Sequence, residues 1–324
     1  MRPFWAFMAL AALAAARPAL AVSLLDIAHS TSGLSIFLAA RDDGAISRST
    51  NGITYNVVAT GATTPLRGVA YSSGWFVAAG DGGRAIRTSD FGLHWAADNS
   101  KTTAALREVI PHSLYFIAVG DAGTTLRKLT AAAQWDTTSS PTNKTLYSVA
   151  SNGIAPGILV AVGDNGCVLR STDQGLSWLS QTLAGAPNLR GVTGCSLMNY
   201  FVAVGLGGRM FRSTDFGSSW EDVSIPGLTA DLFDVAVDAS NRFVAVGAAG
   251  TIVRSGTNAS PGSWLPIDTR STVNLFGVDR DPVYFYAVGA GETIYRSIDG
   301  TTWINVPVTG TSWGAMKTLF GSGR

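Results

Sequence analysis

The chain has 324 residues, 46% of them hydrophobic and only 14% charged, with 37 glycines and a formal net charge of +1. This composition excludes general disorder and supplies enough apolar side chain for a large core. It carries no basic footprint of the kind a nucleic-acid partner requires.

In chain order, the first element is a leader. Arg2 gives a positive start, Phe4 to Ala16 is apolar, and Ala19-Leu20-Ala21 has the small-x-small form of a cleavage site. The pattern predicts a signal peptide over residues 1–21 and export to the periplasm or the exterior, with an uncleaved anchor as the alternative. The apolar run is short for a bilayer crossing and no later segment is long enough, so no transmembrane segment is expected in the mature chain. Without Arg2 and Arg17 there are 21 basic against 22 acidic residues, which makes residues 22–324 close to neutral.

From residue 22 onward one unit recurs. "CVLRSTDQGLSW" (Cys167–Trp178) is echoed by "RAIRTSDFGLHW" (Arg84–Trp95), "RMFRSTDFGSSW" (Arg209–Trp220) and "TIYRSIDGTTW" (Thr293–Trp303). Weaker copies are "AISRSTNGITY" at Ala45–Tyr55, "TTLRKLTAAAQW" at Thr124–Trp135 and "TIVRSGTNASPGSW" at Thr251–Trp264. Seven marker arginines, Arg48, Arg87, Arg127, Arg170, Arg212, Arg254 and Arg296, follow one another at 39 to 43 residues. A period near forty with several short strands per unit predicts an all-β, seven-bladed propeller of four-stranded antiparallel blades.

Each unit divides alike. A first strand such as "LRGVAY" (Leu66–Tyr71) leads to a buried second strand such as "FVAVG" (Phe201–Gly205). A hairpin suited to positive φ follows, as in "DGG" (Asp81–Gly83), "DAG" (Asp121–Gly123) and "DNG" (Asp164–Gly166). The third strand ends at the marker arginine and the fourth begins near the tryptophan. Gly68, Ser148, Gly191 and Gly277 share one place on the innermost strands, where blades converge. "LLDIAHS" (Leu24–Ser30) and "SWGAMKT" (Ser312–Thr318) both read as first strands, so either end of the chain could complete the first blade and remove its free edge.

Ser171, Asp173, Gly175 and Trp178, repeated as Ser213, Asp215, Gly217 and Trp220, resemble the Asp-box of bacterial neuraminidase repeats. With "VAVGDNG" ahead of "LRSTD", the fuller pattern looks like the photosystem II assembly-factor propellers and their bacterial relatives. The resemblance spans the mature chain, except that the third blade lacks the box acid and the sixth is interrupted from Gly256 to Gly262. It implies a non-catalytic propeller that holds a protein client, such as the tail or loop of a membrane or envelope protein, during assembly. One propeller hosts many tasks, so the fold alone does not carry that role.

The recurring residues read as structure. Asp90, Asp173, Asp215 and Asp299 would accept backbone N–H groups in the box turns, and Trp95, Trp178, Trp220 and Trp303 would cover blade edges. Arginines repeated in every blade suit bridges to carbonyls at blade junctions. The residues that vary sit second on each first strand: Leu25, Arg67, Arg107, Tyr147, Arg190, Phe233 and Phe276. A cationic and aromatic rim suits a carboxylate-bearing peptide, and the six from Arg67 onward are the candidate binding residues.

The alternative is a glycan-binding or sialidase-like protein in which Tyr147, Glu108, Arg67, Arg107 and Arg190 share the mouth. Among three glutamates (Glu108, Glu221, Glu292) and no Arg-Ile-Pro motif in the mature chain, that alternative has little support. No cofactor and no metal is expected, because His29, His94 and His112 are scattered and no CxxC, HExxH or phosphate-loop spacing occurs. "AGDGG" (Ala79–Gly83) is a turn, with no helix behind it. Cys167 and Cys195 fall at opposite ends of their blades, roughly 16 Å apart for a five-residue strand, which predicts two buried free thiols. A monomer is expected.

Overall fold

The computed structural model describes residues 22–30, 35–153, 157–195, 198–256 and 258–306. The leader over residues 1–21 and the Ser312–Thr318 candidate strand lie outside them. The described residues form seven four-stranded antiparallel sheets, each built from four consecutive strands. The inner strands that open blades 1 to 7 are Leu24–His29, Leu66–Ser72, Leu106–His112, Leu146–Ser151, Leu189–Gly194, Leu232–Val237 and Leu275–Arg280. Neighbouring inner strands touch around the full circle, including the last against the first. No helix among the described residues is long and apolar enough to cross a membrane.

The apolar second strands explain the packing. Phe201–Gly205, Phe243–Gly247 and Phe285–Gly289 are buried along their whole length because blades press on both faces. Phe76, Phe116, Phe201 and Phe243 are fully enclosed, and truncating any one to alanine should cost about 3–5 kcal/mol. Seven apolar clusters among the described residues fill the seven blade junctions.

Ring closure resolves the two-candidate question. Leu24–His29 is the inner strand of blade 1, paired with Phe37–Arg41. Blade 7 meets it through side chains: Leu24, Ile27, Phe37 and Tyr55 pack against Tyr286, Val288 and Ile294. Glu292 N–H donates to the Val22 carbonyl at 3.0 Å, and the Glu292 carboxylate pairs with Arg41.

The two ends of the ring differ as the strand order requires. Each hairpin after the second strand sits beside the start of an inner strand, as when Asp81 N–H donates to Pro65 O at 3.0 Å. The box turns sit beside the first-to-second turns at the other end, as when Phe216 N–H donates to Asn199 O at 3.0 Å. The hairpins define the upper face and the box turns the lower one.

Within a box turn, Ser171 Oγ donates to Asp173 Oδ1 at 2.8 Å, and Asp173 accepts Ser177 N–H at 3.0 Å and Ser177 Oγ–H at 2.6 Å. Burial pushes the Asp173 carboxyl up, but these bonds outweigh it and hold it below the usual range. Asp215, Asp90 and Asp299 are held alike. Trp178 is buried, whereas Trp95, Trp220 and Trp303 are half-buried.

The marker arginines divide into two groups. Arg48, Arg170 and Arg254 each donate Nε to a carbonyl in the next blade's box turn, Phe91 O, Phe216 O and Asp299 O, all at 2.7 Å. Arg87 and Arg212 reach Ala131 O and Asn258 O through Nη1 at 2.6 and 2.8 Å. Arg127 and Arg296 make no such bond among the described residues. Their guanidinium groups lie over the Tyr115 and Tyr284 rings at 4.5 and 5.0 Å. Both cysteines are unbridged and buried, with Cys195 Sγ–H directed to Asn241 Oδ1 at 2.9 Å.

Candidate functional site

The upper rim is made by a repeated irregularity. In blade 2, Leu66 pairs with Gly80 and Gly68 with Ala79, which leaves Arg67 as an extra residue on the inner strand. The same register shift leaves Leu25, Arg107, Tyr147, Arg190, Phe233 and Phe276 unpaired in the other blades. A β-bulge bends the strand and re-aims the extra side chain, and here it does so seven times. Each bulge brings the inner strand close to the end of the second strand. A Cβ on Gly80 would lie 2.0 Å from Pro65 O, and one on Gly247 would lie 2.0 Å from Asp231 O. The glycine closing "FVAVG" therefore leaves room for the bulge. Blade 1 has Arg41 in that place, nearly buried and held by Asp43 at 2.8 Å and Ser47 Oγ at 3.1 Å.

The rim residues meet different partners. Arg67 grips Asp81 of its own hairpin with two bonds, 2.5 and 2.9 Å, and Arg107 grips Asp121 at 2.7 and 2.8 Å. Tyr147 donates its hydroxyl to Asp164 at 2.9 Å. The Arg67 guanidinium holds the Asp81 carboxyl below its usual range. In blades 5 to 7 the matching hairpin residue is Leu206, Ala248 or Ala290, and the one acid in these hairpins, Glu292 of blade 7, is paired with Arg41. Arg190 therefore stacks on the Tyr147 ring at 3.9 Å, its Nε buried without a partner, and its guanidinium makes no hydrogen bond or ion pair among the described residues. Phe233 and Phe276 follow as a tilted pair with ring centres 5.8 Å apart, both half-buried.

Below the rim, the residue after each bulge sits where neighbouring inner strands abut. Asp26, Glu108 and Asp234 stand there and line the central channel, interspersed with the small residues Gly68, Ser148, Gly191 and Gly277. The acids bridge blades: Asp26 accepts Val69 N–H at 2.8 Å, Glu108 accepts Val149 N–H at 2.6 Å and Asp234 accepts Val278 N–H at 2.7 Å. Ser148 does the same for Val192 N–H at 3.0 Å. Burial pushes all three carboxyls up, Asp234 to about 7. Tyr147 and Glu108 are thus bound to different partners, and the tyrosine–glutamate pair that a sialidase uses is not joined among the described residues.

The channel is a cavity of about 660 Å³ that opens toward the lower mouth. The histidines that look scattered in the sequence partly converge here: His29 and His112 both line it. His29 Nδ1 lies 3.2 Å from Asp279 Oδ2, and His112 Nδ1 lies 2.8 Å from Ser151 Oγ. His94 is elsewhere, on the box acid Asp90. No single motif signals this ring; only the shared position on the repeats could have found it.

No protein-family model and no curated protein matches the sequence. Among solved structures, the chain is similar to YCF48 bound to D1 peptide, with TM-score 0.69 and 14% identity over 86% of this chain and 93% of that one. It is similar in the same measure to YCF48 from Cyanidioschyzon merolae, at 14% identity over 86% of this chain and 97% of that one. The WD40 propeller domain of Doa1 gives TM-score 0.68 at 10% identity over 86% of this chain and 93% of that one. At such identities the likeness is one of fold: this chain is a seven-bladed β-propeller.

Proposed function

We propose that the chain is an exported, non-catalytic propeller that captures a carboxylate-bearing segment of a client protein on its upper rim and serves in the assembly of an envelope or membrane protein. One observation carries this reading. Arg190 is a rim cation already stacked in place yet without an internal counter-charge, beside two half-buried aromatic rings. A guanidinium ordered by stacking and left with free donors binds a carboxylate by charge-assisted, bidentate hydrogen bonds at little further entropic cost. The Phe233 and Phe276 pair offers an adjoining apolar face for the residue that precedes the carboxylate. That a propeller of this shape, YCF48, has been seen bound to D1 peptide supports a peptide on such a frame.

Calorimetry with a peptide ending in an aromatic residue and a free carboxylate tests the proposal. Binding should be lost both on amidating that terminus and in Arg190→Gln. Equal binding of the acid and the amide would overturn it.

A further inference from the structure

Blade 3 has Thr130 where blades 2, 4, 5 and 7 carry the box acid, and its box serine is replaced as well. At the box serine position stands Lys128, its side chain wholly enclosed. Lys128 Nζ lies 2.5 Å from Oδ2 of Asp98, which leaves the last strand of blade 2 and whose side chain is equally enclosed. A second bond, 3.0 Å to Ala132 O, orients the nitrogen. Arg87 Nε stands 3.0 Å from the other carboxyl oxygen, Oδ1. The Trp135 and Phe116 rings, both fully buried, wall the pair at 5.4 and 5.6 Å from Nζ.

We propose that Lys128 and Asp98 condense into an intramolecular isopeptide bond that rivets blade 2 to blade 3 where the Asp-box is missing. Two buried opposite charges pay a desolvation penalty that their attraction repays incompletely, and a neutral amide removes both charges. The dry, aromatic surroundings favour the uncharged partners that the reaction needs. Burial pushes the Asp98 carboxyl up, outweighing Lys128 and Arg87, and pushes the Lys128 ammonium down. Held in contact, the pair has an effective concentration on the order of 10⁵ M or more, as fixed intramolecular partners do.

The step balances without a co-reactant. Uncharged Nζ attacks Cγ of the protonated carboxyl, and the negative charge develops on Oδ1, beside the positive Arg87 guanidinium. The Cγ–N bond forms and the Cγ–Oδ2 bond breaks. Oδ2 departs as water with its own proton and one from Nζ. Oδ1 becomes the amide oxygen, and the remaining N–H still points to Ala132 O.

The exposed pair of Lys101 and Asp136, 3.3 Å apart, has the same groups in contact with water and is the internal control. There solvent reaches both groups, and no condensation is expected.

Intact-mass spectrometry of the purified full chain, denatured, tests this directly. The wild type should be lighter by one water than its sequence. Its tryptic digest should lack cleavage after Lys128 and contain a branched peptide joining the Asp98 and Lys128 segments. Lys128→Met should restore the full mass. An unmodified wild-type mass with normal cleavage at Lys128 would overturn the proposal, as would a deficit that persists in Lys128→Met. The wild-type branched peptide decides the question even if that variant does not fold.

Discussion

The two arcs of the upper rim use one backbone device for opposite ends. In blades 2 to 4 the bulge residue meets an acid from its own hairpin, so Arg67, Arg107 and Tyr147 are saturated from within. In blades 5 to 7 the matching hairpin position holds Leu206, Ala248 or Ala290, and Arg190, Phe233 and Phe276 stay half-buried with no hairpin acid gripping them. A count of arginines would rank the first arc as the anion site. The partners reverse that ranking, because a guanidinium already gripped by a carboxylate has little left for a ligand.

This contrast can be broken most forcefully at Arg190. Arg190→Glu should weaken peptide capture about a hundredfold or more, since it removes charge-assisted bonds of roughly 1.5–3 kcal/mol and adds repulsion. Its thermal midpoint should fall only slightly, because the stacking on Tyr147, worth about 0.5–1 kcal/mol, is lost but no intramolecular hydrogen bond or ion pair of Arg190 is. Titration calorimetry and a melting scan read the two outcomes. Leu206→Asp converts blade 5 to the pattern of blades 2 to 4 and should cost about tenfold in affinity by occupying Arg190 from within. Asp81→Asn does the reverse for Arg67, and a gain of a few fold in affinity is expected.

The smallest effect lies below the rim and separates the channel from it. A carboxyl with a raised folded pKa stabilises the fold fully below its ordinary value and loses that contribution as pH climbs through the folded value. For Asp234 the window runs from about 3.8 to about 7. Burial pushes the His29 imidazole down, but the bond to Asp279 with the charges of Asp279 and Asp281 together raise it, so it likewise loses its contribution as pH rises past its ordinary value. Stability measured by urea unfolding should therefore decline from pH 4 to pH 7, and Asp234→Asn should flatten that decline without touching peptide affinity.

Much of the frame was legible because repetition makes it so. Arg48 to Arg296 mark the blades, and the two ends of the ring follow from strand order alone. The bulges were not legible, since an extra residue is defined only against a partner strand; the glycine closing Gly80, Gly120 and Gly163 was the available clue. The rim positions could be picked out by their variation, but which of them were already paired could not, because Asp81 lies 14 residues from Arg67. The three channel acids hid behind the small residues with which they are interspersed. In the sequence the third blade reads only as a weaker copy without the box acid, and the contact of Lys128 with Asp98, 30 residues earlier, is what gives that lysine a role.

The junction of blades 7 and 1 has a consequence of its own. Every other blade is joined to its successor by continuous chain, whereas this junction is clasped by Arg41 with Glu292, His29 with Asp279, and a patch of aromatic side chains. Val22 and Val306 both lie at it. A wheel whose ends meet this way has no privileged starting spoke. Re-cutting the chain between any two blades while tying the old ends together should leave the wheel intact and only relocate the place where it first springs open.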